Sequence, residues 1–118
     1  MDREYHENRS LDLFDDRFTE IHEFLDRFFR KYGPYHRVFL HHHRGIDLVV
    51  KRFGEEARPV AEQHIMDDMG HIARDWRQFK IDFQFVESRL KITKKSFVDD
   101  LKTLYPDRPE QEFIFKKM

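Results

Sequence analysis

The chain has 118 residues, a formal net charge of −1 and no cysteine. Because basic and acidic side chains balance, we do not expect a protein whose main role is to coat nucleic acid. The lack of thiols excludes a disulfide framework, a thiolate metal site and a cysteine nucleophile. With 13 phenylalanines, the chain has enough aromatic side chains to build a core and is not predicted to be disordered.

The length suits a single domain, which we divide into three parts. These are a flexible arm at residues 1–9, a helical core at residues 10–76 and a C-terminal addition at residues 77–118. The polar N-terminal residues lack the apolar run of a signal peptide, and no apolar stretch approaches the roughly 20 residues of a membrane span. We therefore expect a cytoplasmic protein that does not bind a membrane.

Apolar residues recur every three or four positions from residue 11 to residue 32, with mostly charged residues between them. Ser10 is a suitable N-cap, and Gly33-Pro34 ends the pattern. This pattern predicts one continuous amphipathic helix, whose apolar stripe packs either within the chain or across a homodimer. The stripe consists of Leu11, Phe14, Phe18, Ile21, Leu25, Phe28 and Tyr32.

Two further helices are predicted in the next part of the chain. The second runs from about residue 35 to residue 53, with Gly45 in its middle and Gly54 at its end. Glycine in a helix interior costs about 1 kcal/mol relative to alanine, so Gly45 indicates a close helix crossing. The third helix begins near Pro59 and ends at Gly70, since proline suits a first turn and glycine often follows a last one.

The pattern changes after residue 77. Apolar residues alternate with polar ones at Phe79, Ile81, Phe83 and Phe85, which is the period of a half-buried strand. A second strand is predicted at residues 90–93, a short helix at residues 95–104, and a last strand or docked tail at residues 113–115. The predicted fold is therefore mainly α, a bundle of three or more helices with a small mixed α/β C-terminal addition.

The three predicted helices carry the side chains that bind Zn, Mn, Fe or Ni as divalent ions. Helices that face one another can direct such ligands into a shared pocket. Successive residues of a helix point about 100° apart, so the three consecutive histidines at 41–43 cannot all face one site. His6, in the predicted arm, is expected to take no part. The predicted metal ligands are His22, His36, His41, His42, Glu62, His64 and Asp68, and Asp26 shares a helix face with His22.

A bound divalent ion lowers the pKa of its water to near neutral and so generates a hydroxide nucleophile. Glu62 and Asp68 are the candidate catalytic carboxylates, and Arg37 is the candidate phosphate contact. Together these residues predict a metal-dependent hydrolase whose substrate is a small phosphorylated molecule, either a phosphate ester or a nucleotide.

Two other functions are compatible with the sequence. The histidines are structural in the first, and the chain is a phage-type interaction or inhibitor protein that binds a host protein. Its contact element would be the C-terminal Phe113-Ile114-Phe115 with Lys116-Lys117. The second, weaker alternative is nucleic-acid binding through a local basic stretch, which comprises Arg89, Lys91, Lys94, Lys95 and Lys102.

Two motifs, H-R-x3-H-H-x2-G at residues 36–45 and A-E-Q-H-x3-D-x-G at residues 61–70, carry a resemblance. Over about residues 21–76 the chain resembles a family of small uncharacterised phage and bacterial proteins. It is also distantly similar to the histidine–aspartate metal phosphohydrolases, although it lacks their adjacent His-Asp pair. The second likeness implies a helical fold that gathers histidine and aspartate around one or two metal ions. If the likeness holds, Arg37 and Gln63 support the ligands or contact substrate.

Overall fold

The computed structural model describes residues 2–115, and this part of the chain is mainly helical, as predicted. No helix within it is both long enough and apolar enough to cross a bilayer. The α-helices are α1 (Arg3–Phe14), α2 (Thr19–Leu25), α3 (Phe29–Tyr32), α4 (Arg37–Leu40), α5 (His43–Phe53), α6 (Arg58–Met69), α7 (Phe83–Arg89) and α8 (Lys94–Leu104). Short 3-10 helices occupy Gly33–His36, Glu55–Ala57, Trp76–Gln78 and Glu110–Phe113.

The flexible arm expected at residues 1–9 is instead largely helical, because α1 begins at Arg3. The side chain of Asp2, not that of Ser10, caps this helix by accepting a hydrogen bond from the backbone N–H of Tyr5 at 2.9 Å. α1 packs against α2 and α6, and its buried side chains are His6 and Ser10. The prediction of an arm was wrong because this buried face is polar, so no hydrophobic periodicity marks it.

The long first helix predicted from residue 11 to residue 32 is divided into α1, α2 and α3. Asp15 and Phe18 adopt left-handed backbone conformations, with φ values of 61° and 49°. The Asp16 carboxylate accepts a hydrogen bond from the backbone N–H of Phe18 at 2.9 Å. Aspartate stabilises such turns through its short side chain, so the chain turns between α1 and α2 even though the apolar spacing continues.

The predicted second helix is broken between α4 and α5. His42 is extended, with φ −160° and ψ 175°, and its backbone forms a single parallel bridge with Ala73. A Cβ added to Gly45 would lie 1.9 Å from the carbonyl oxygen of Leu40. The close contact expected at Gly45 is therefore with the backbone of Leu40, just before the break, and not with a second helix that crosses here. The third helix was predicted correctly, and α6 begins one residue before Pro59 and ends before Gly70.

The part of the predicted α/β C-terminal addition that the structure describes, residues 77–115, contains helices and no strand. Within residues 2–115 the bridge between His42 and Ala73 is the only β pairing. α7 begins at Phe83, inside the predicted strand, and the Asp82 carboxylate caps it. The alternating apolar residues thus span a loop and the first turn of a helix, and of these residues only Ile81 is fully buried. The short helix predicted at residues 95–104 corresponds to α8.

Aromatic side chains join the C-terminal segment to the N-terminal helices. The ring of Phe97 on α8 lies 5.0 Å from the ring of Phe39, measured between centroids. Trp76 stacks on Phe113 at 5.2 Å, and its indole N–H donates to the carbonyl of Glu112 at 2.6 Å. Ile114 is 70% exposed. Of the contact element proposed for a host protein, Phe113 therefore belongs to the core, and Lys116-Lys117 lies outside the described residues.

Candidate metal centre

Histidine and aspartate side chains converge in the space between α1, α2, the α4–α5 junction and α6. Residues four apart on a helix share a face, which explains why His22 and Asp26, and His64 and Asp68, arrive as pairs. The α4–α5 break supplies His41, whose side chain is fully buried. We call this group the His/Asp cluster, and it consists of His6, His22, Asp26, His36, His41, His64 and Asp68.

Four ligand atoms of the cluster lie close enough together to hold one ion. The group comprises Asp26, His41, His64 and Asp68, whose ligand atoms all lie within 4.8 Å of one another. His41 Nε2 is 2.9 Å from Asp68 Oδ2 and 3.5 Å from Asp26 Oδ1. His64 Nε2 is 3.4 Å from Asp68 Oδ2 and 3.2 Å from Asp26 Oδ1.

These distances match the spacing of ligands around a metal ion. With metal–ligand bonds of roughly 2.1 Å, neighbouring ligand atoms lie about 3.0 Å apart in octahedral coordination and about 3.4 Å apart in tetrahedral coordination. The four nitrogen–oxygen distances run from 2.9 to 3.5 Å. The donor set of two imidazoles and two carboxylates suits a divalent ion, and the two carboxylates would neutralise its charge.

His36 borders this group and faces the same carboxylate. Its Nδ1 lies 2.7 Å from the carbonyl oxygen of Gly33, which can only accept a hydrogen bond, so Nδ1 carries a proton. Its Nε2 lies 3.3 Å from Asp26 Oδ1. In a neutral ring this Nε2 is a lone pair directed at a carboxylate. A second ring proton, or a cation bound at Asp26, would relieve the repulsion between the lone pair and the carboxylate.

A buried chain of hydrogen bonds orients His64. Ser10 Oγ lies 2.7 Å from His22 Nε2, and His22 Nδ1 lies 2.8 Å from His64 Nδ1. If His22 donates its Nε2 proton to Ser10, its Nδ1 accepts a proton from His64 Nδ1, which leaves His64 Nε2 facing the carboxylates. Histidines that bind metals usually donate their second N–H to such a partner, because it fixes the tautomer of the ring.

The electrostatics of the cluster favour a cation between the two aspartates. Burial and the neighbouring His64 and His6 lower the pKa of His22 to about 3, so this ring is neutral. Burial would raise the pKa values of Asp26 and Asp68, but hydrogen bonds from the surrounding histidines lower both below the ordinary carboxyl value. Burial opposes protonation of His64, yet the two aspartates raise its pKa. Without a metal, both carboxylates therefore favour a proton on His64 Nε2, which lies 3.2 Å from Asp26 Oδ1 and 3.4 Å from Asp68 Oδ2.

A second group of ligand atoms comes from His6, His22 and His64. It contains no carboxylate, and it shares His64 with the first group. The rings of His6 and His64 are stacked with centroids 3.7 Å apart and an interplanar angle of 20°. Imidazole lone pairs lie in the ring plane, so two stacked rings are poorly directed at one ion. The group with two aspartates is therefore the better metal site.

The structure brings five of the predicted ligands into the cluster, namely His22, His36, His41, His64 and Asp68. It places His42 elsewhere, with its Nδ1 accepting a hydrogen bond from the Gly45 N–H at 3.1 Å and its Nε2 donating to the Val38 carbonyl at 3.0 Å. Burial lowers the pKa of His42 to about 4. Glu62 is half-buried on α6 and belongs to neither ligand group found in residues 2–115.

Sequence reasoning missed His6 and Ser10 and did not include Asp26 among the ligands. His6 Nε2 lies 3.0 Å from Asp68 Oδ1, where it can orient that carboxylate. His6 and Ser10 are four residues apart, as are the pairs on α2 and α6. This repeated spacing was a usable signal. The approach of α1 to α6 was not predictable, since no apolar stripe marks that contact.

A cavity of about 560 Å³ opens beside the cluster, and Asp26 and His36 form part of its wall. The side chain of Asp26 is 23% exposed, whereas that of Asp68 is 2% exposed. An ion in the cluster would therefore be reached by water or a ligand from the Asp26 side. The cavity volume lies within the range of small-molecule sites.

Comparisons with protein-family models, with curated proteins and with solved structures find no match to this chain. The family resemblance of residues 21–76 thus stays a prediction, and the geometry of the His/Asp cluster is the basis for a functional assignment.

Proposed function

We propose that the chain binds one divalent metal ion through Asp26, His41, His64 and Asp68 and hydrolyses a phosphate ester or nucleotide beside it. The observation that carries the proposal is the set of 2.9–3.5 Å distances between two imidazole nitrogens and two carboxylate oxygens. An ion that accepts all four atoms would be held by two charged carboxylates and two neutral imidazoles, a donor set that suits a divalent metal.

The number of ligands bears on which metal would support catalysis. Four protein ligands complete a tetrahedral zinc site, whereas a catalytic zinc keeps one position for water. Six-coordinate Mn, Fe or Ni would keep two positions, one for water and one for a substrate oxygen. A bound ion of this kind supplies an activated water and polarises a phosphoryl oxygen. The proposal therefore favours a six-coordinate ion over zinc.

Residues beside the ligands have the chemistry to assist hydrolysis. His36 has its Nδ1 proton engaged by Gly33, so its Nε2 is available to accept a proton from a water near Asp26. Arg37 Nη2 lies 3.9 Å from Asp68 Oδ1, and the side chain is 34% exposed. This guanidinium can contact a phosphoryl oxygen while it stays beside Asp68.

The test uses untagged protein treated with chelator and then supplied with Mn, Fe, Ni or Zn. Hydrolysis of aryl phosphates and nucleoside monophosphates is measured for the wild type and for Asp68→Asn. The neighbouring Asp67→Asn is the matched control, since Asp67 bonds to Gln63 and Arg9 outside the ligand group. We expect turnover that depends on added metal and is lost only in Asp68→Asn. Absence of turnover with every metal, or equal turnover in Asp68→Asn, would contradict the proposed hydrolase.

A further inference from the structure

The wall of the cavity beside the cluster carries more arginines than carboxylates. Four of its lining residues are arginines, namely Arg3, Arg27, Arg30 and Arg37, against the carboxylates of Asp2, Glu23 and Asp26. Arg3 is paired with Glu23 at 2.6 Å, and Asp26 is committed to the cluster. Arg37 lies within 3.9 Å of the Asp68 carboxylate, so Arg27 and Arg30 face the one remaining carboxylate of the cavity wall. This excess of positive charge beside the proposed ion favours an anionic ligand.

The arginines differ in the contacts that their guanidinium groups already make. The guanidinium of Arg27 lies over the rings of Phe24 and Phe28, at 5.6 and 5.3 Å from the centroids. Arg30 is exposed, and no partner in residues 2–115 forms an ion pair or hydrogen bond with it. Arg37 approaches Asp68 only at 3.9 Å. Arg30 and Arg37 therefore have guanidinium N–H groups available, and such groups bind phosphate in a bidentate manner.

An exposed aromatic ring completes the cavity wall. Phe29 is 58% exposed although it lines the cavity, and its ring makes an edge contact with His36 at 5.3 Å between centroids. Covering a large apolar side chain with a flat organic group is favourable, because it removes apolar surface from water. Because the ring contacts His36, it lies beside the cluster and can receive the organic part of an ester.

We infer that this cavity binds a phosphate monoester with an aromatic or nucleobase ring, with its phosphate on Arg30 and Arg37 and its ring on Phe29. The inference deepens the proposed function, on which it rests for the nearby ion, by naming the substrate class and the residues that recognise it. The phosphate would then lie next to Asp26 and His36, on the exposed side of the proposed ion.

The test measures ligand binding separately from turnover. Metal-supplied protein is titrated with inorganic phosphate and with phenyl phosphate by calorimetry, and the metal content of every sample is determined. The variants are Arg30→Gln and Phe29→Ala. Arg89→Gln is the matched control, because Arg89 is exposed on α7 and does not line the cavity. Arg30 forms no contact with the cluster, so its variant should keep the metal content of the wild type.

We expect Arg30→Gln to weaken both ligands at least about tenfold, since a hydrogen bond to a charged group is worth about 1.5–3 kcal/mol. Phe29→Ala should weaken phenyl phosphate but not inorganic phosphate, and Arg89→Gln should bind as the wild type does. Equal binding by the wild type and Arg30→Gln would overturn the inference even if metal is bound. A Phe29→Ala variant that binds phenyl phosphate normally would overturn the assignment of the ring. Arginine-dependent phosphate binding in a protein without metal would instead remove the proposed hydrolase and leave the anion site.

Discussion

Two adjacent histidines, His41 and His42, show how strongly the local backbone decides the role of a residue. His41 is the last residue before the break and directs its Nε2 to two aspartates. His42 is extended and directs its ring to the backbone of Val38 and Gly45. The sequence predicted that neighbouring histidines face different sides, but the helical spacing did not show which of them reaches the cluster.

The first prediction at this scale concerns His42. The His42 ring is the side-chain partner of the Val38 carbonyl and of the Gly45 N–H, and His42→Ala removes both hydrogen bonds. We therefore expect the free energy of unfolding to fall by about 2–4 kcal/mol. The metal content should stay at the wild-type level while the protein is folded. Chemical denaturation with elemental analysis of the folded fraction measures both. Loss of metal from folded His42→Ala would restore His42 as a ligand.

The second prediction concerns Ser10, which is buried beside His22. Ser10→Ala removes the partner that orients His22 and, through it, His64. Because the outer partners of a ligand affect metal affinity about 10–100-fold, we expect the dissociation constant of the metal to rise by about tenfold or more. Metal titration against a competing chelator measures it. Ser88→Ala, on the exposed part of α7, is the control, and equal affinities in the two variants would contradict the orienting role.

At the scale of elements, spacing within a helix was more informative than helix boundaries. α6 was predicted from a proline near its start, a glycine after its end and the pair His64 and Asp68. The break at residues 15–18 was not predictable from apolar periodicity, because the spacing continues across it, and at residues 41–42 histidines interrupt the apolar residues. Each break depends on short-range polar contacts, such as that of Asp16 with the Phe18 N–H.

Gly45 provides a test of the α4–α5 junction. In Gly45→Ala the new Cβ would lie 1.9 Å from the Leu40 carbonyl oxygen, so the junction must move. We expect a loss of about 1–3 kcal/mol in stability and weaker metal binding, because His41 belongs to the displaced segment. Gly70→Ala is the control, since Gly70 has a φ of 76° and open space around it. It should cost stability through backbone strain while metal affinity stays unchanged. Wild-type stability and affinity in Gly45→Ala would contradict this account.

At the scale of the whole molecule, the C-terminal segment differs most from its prediction. The sequence indicated an appended α/β unit, whereas Phe97, Tyr105 and Phe113 enter the same core as Phe39 and Trp76. Long-range aromatic contacts of this kind leave no periodic signal in the segment itself. The hydrophobic core takes side chains from both halves of the chain, and the polar cluster lies among α1, α2 and α6. The chain thus folds around an apolar and a histidine-rich centre.

The histidine-rich centre makes stability depend on pH. Burial lowers the pKa of His22 to about 3 and those of His41 and His42 to about 4, below the usual 6.5. Between these values and 6.5 the unfolded chain binds more protons than the native one, so acidification favours unfolding. His64, whose pKa is raised, opposes this effect, because its contribution is present below 6.5 and is lost as the pH rises.

The three histidines with lowered pKa values outweigh His64. We therefore expect the metal-free protein to lose at least about 1.4 kcal/mol of unfolding free energy per pH unit as the pH falls from 6 to 4.5. Asp26 and Asp68 also have lowered pKa values, and their protonation destabilises the native state at still lower pH. Urea unfolding at fixed pH values, with chelator present, measures the dependence. A stability that is constant or increases over this interval would show that the buried histidines take up protons in the native state.

Metal binding at the cluster is the central claim, and the metal content of untagged protein tests it most directly. The samples are the wild type, His41→Ala and His43→Ala, incubated with Mn, Fe, Ni or Zn and freed of loosely bound ions. His43 is exposed and two residues from His41, so it controls for the loss of any histidine. We predict one ion per chain in the wild type and in His43→Ala, and none in folded His41→Ala. A wild type that takes up no metal, or equal metal content in all three proteins, would contradict the account.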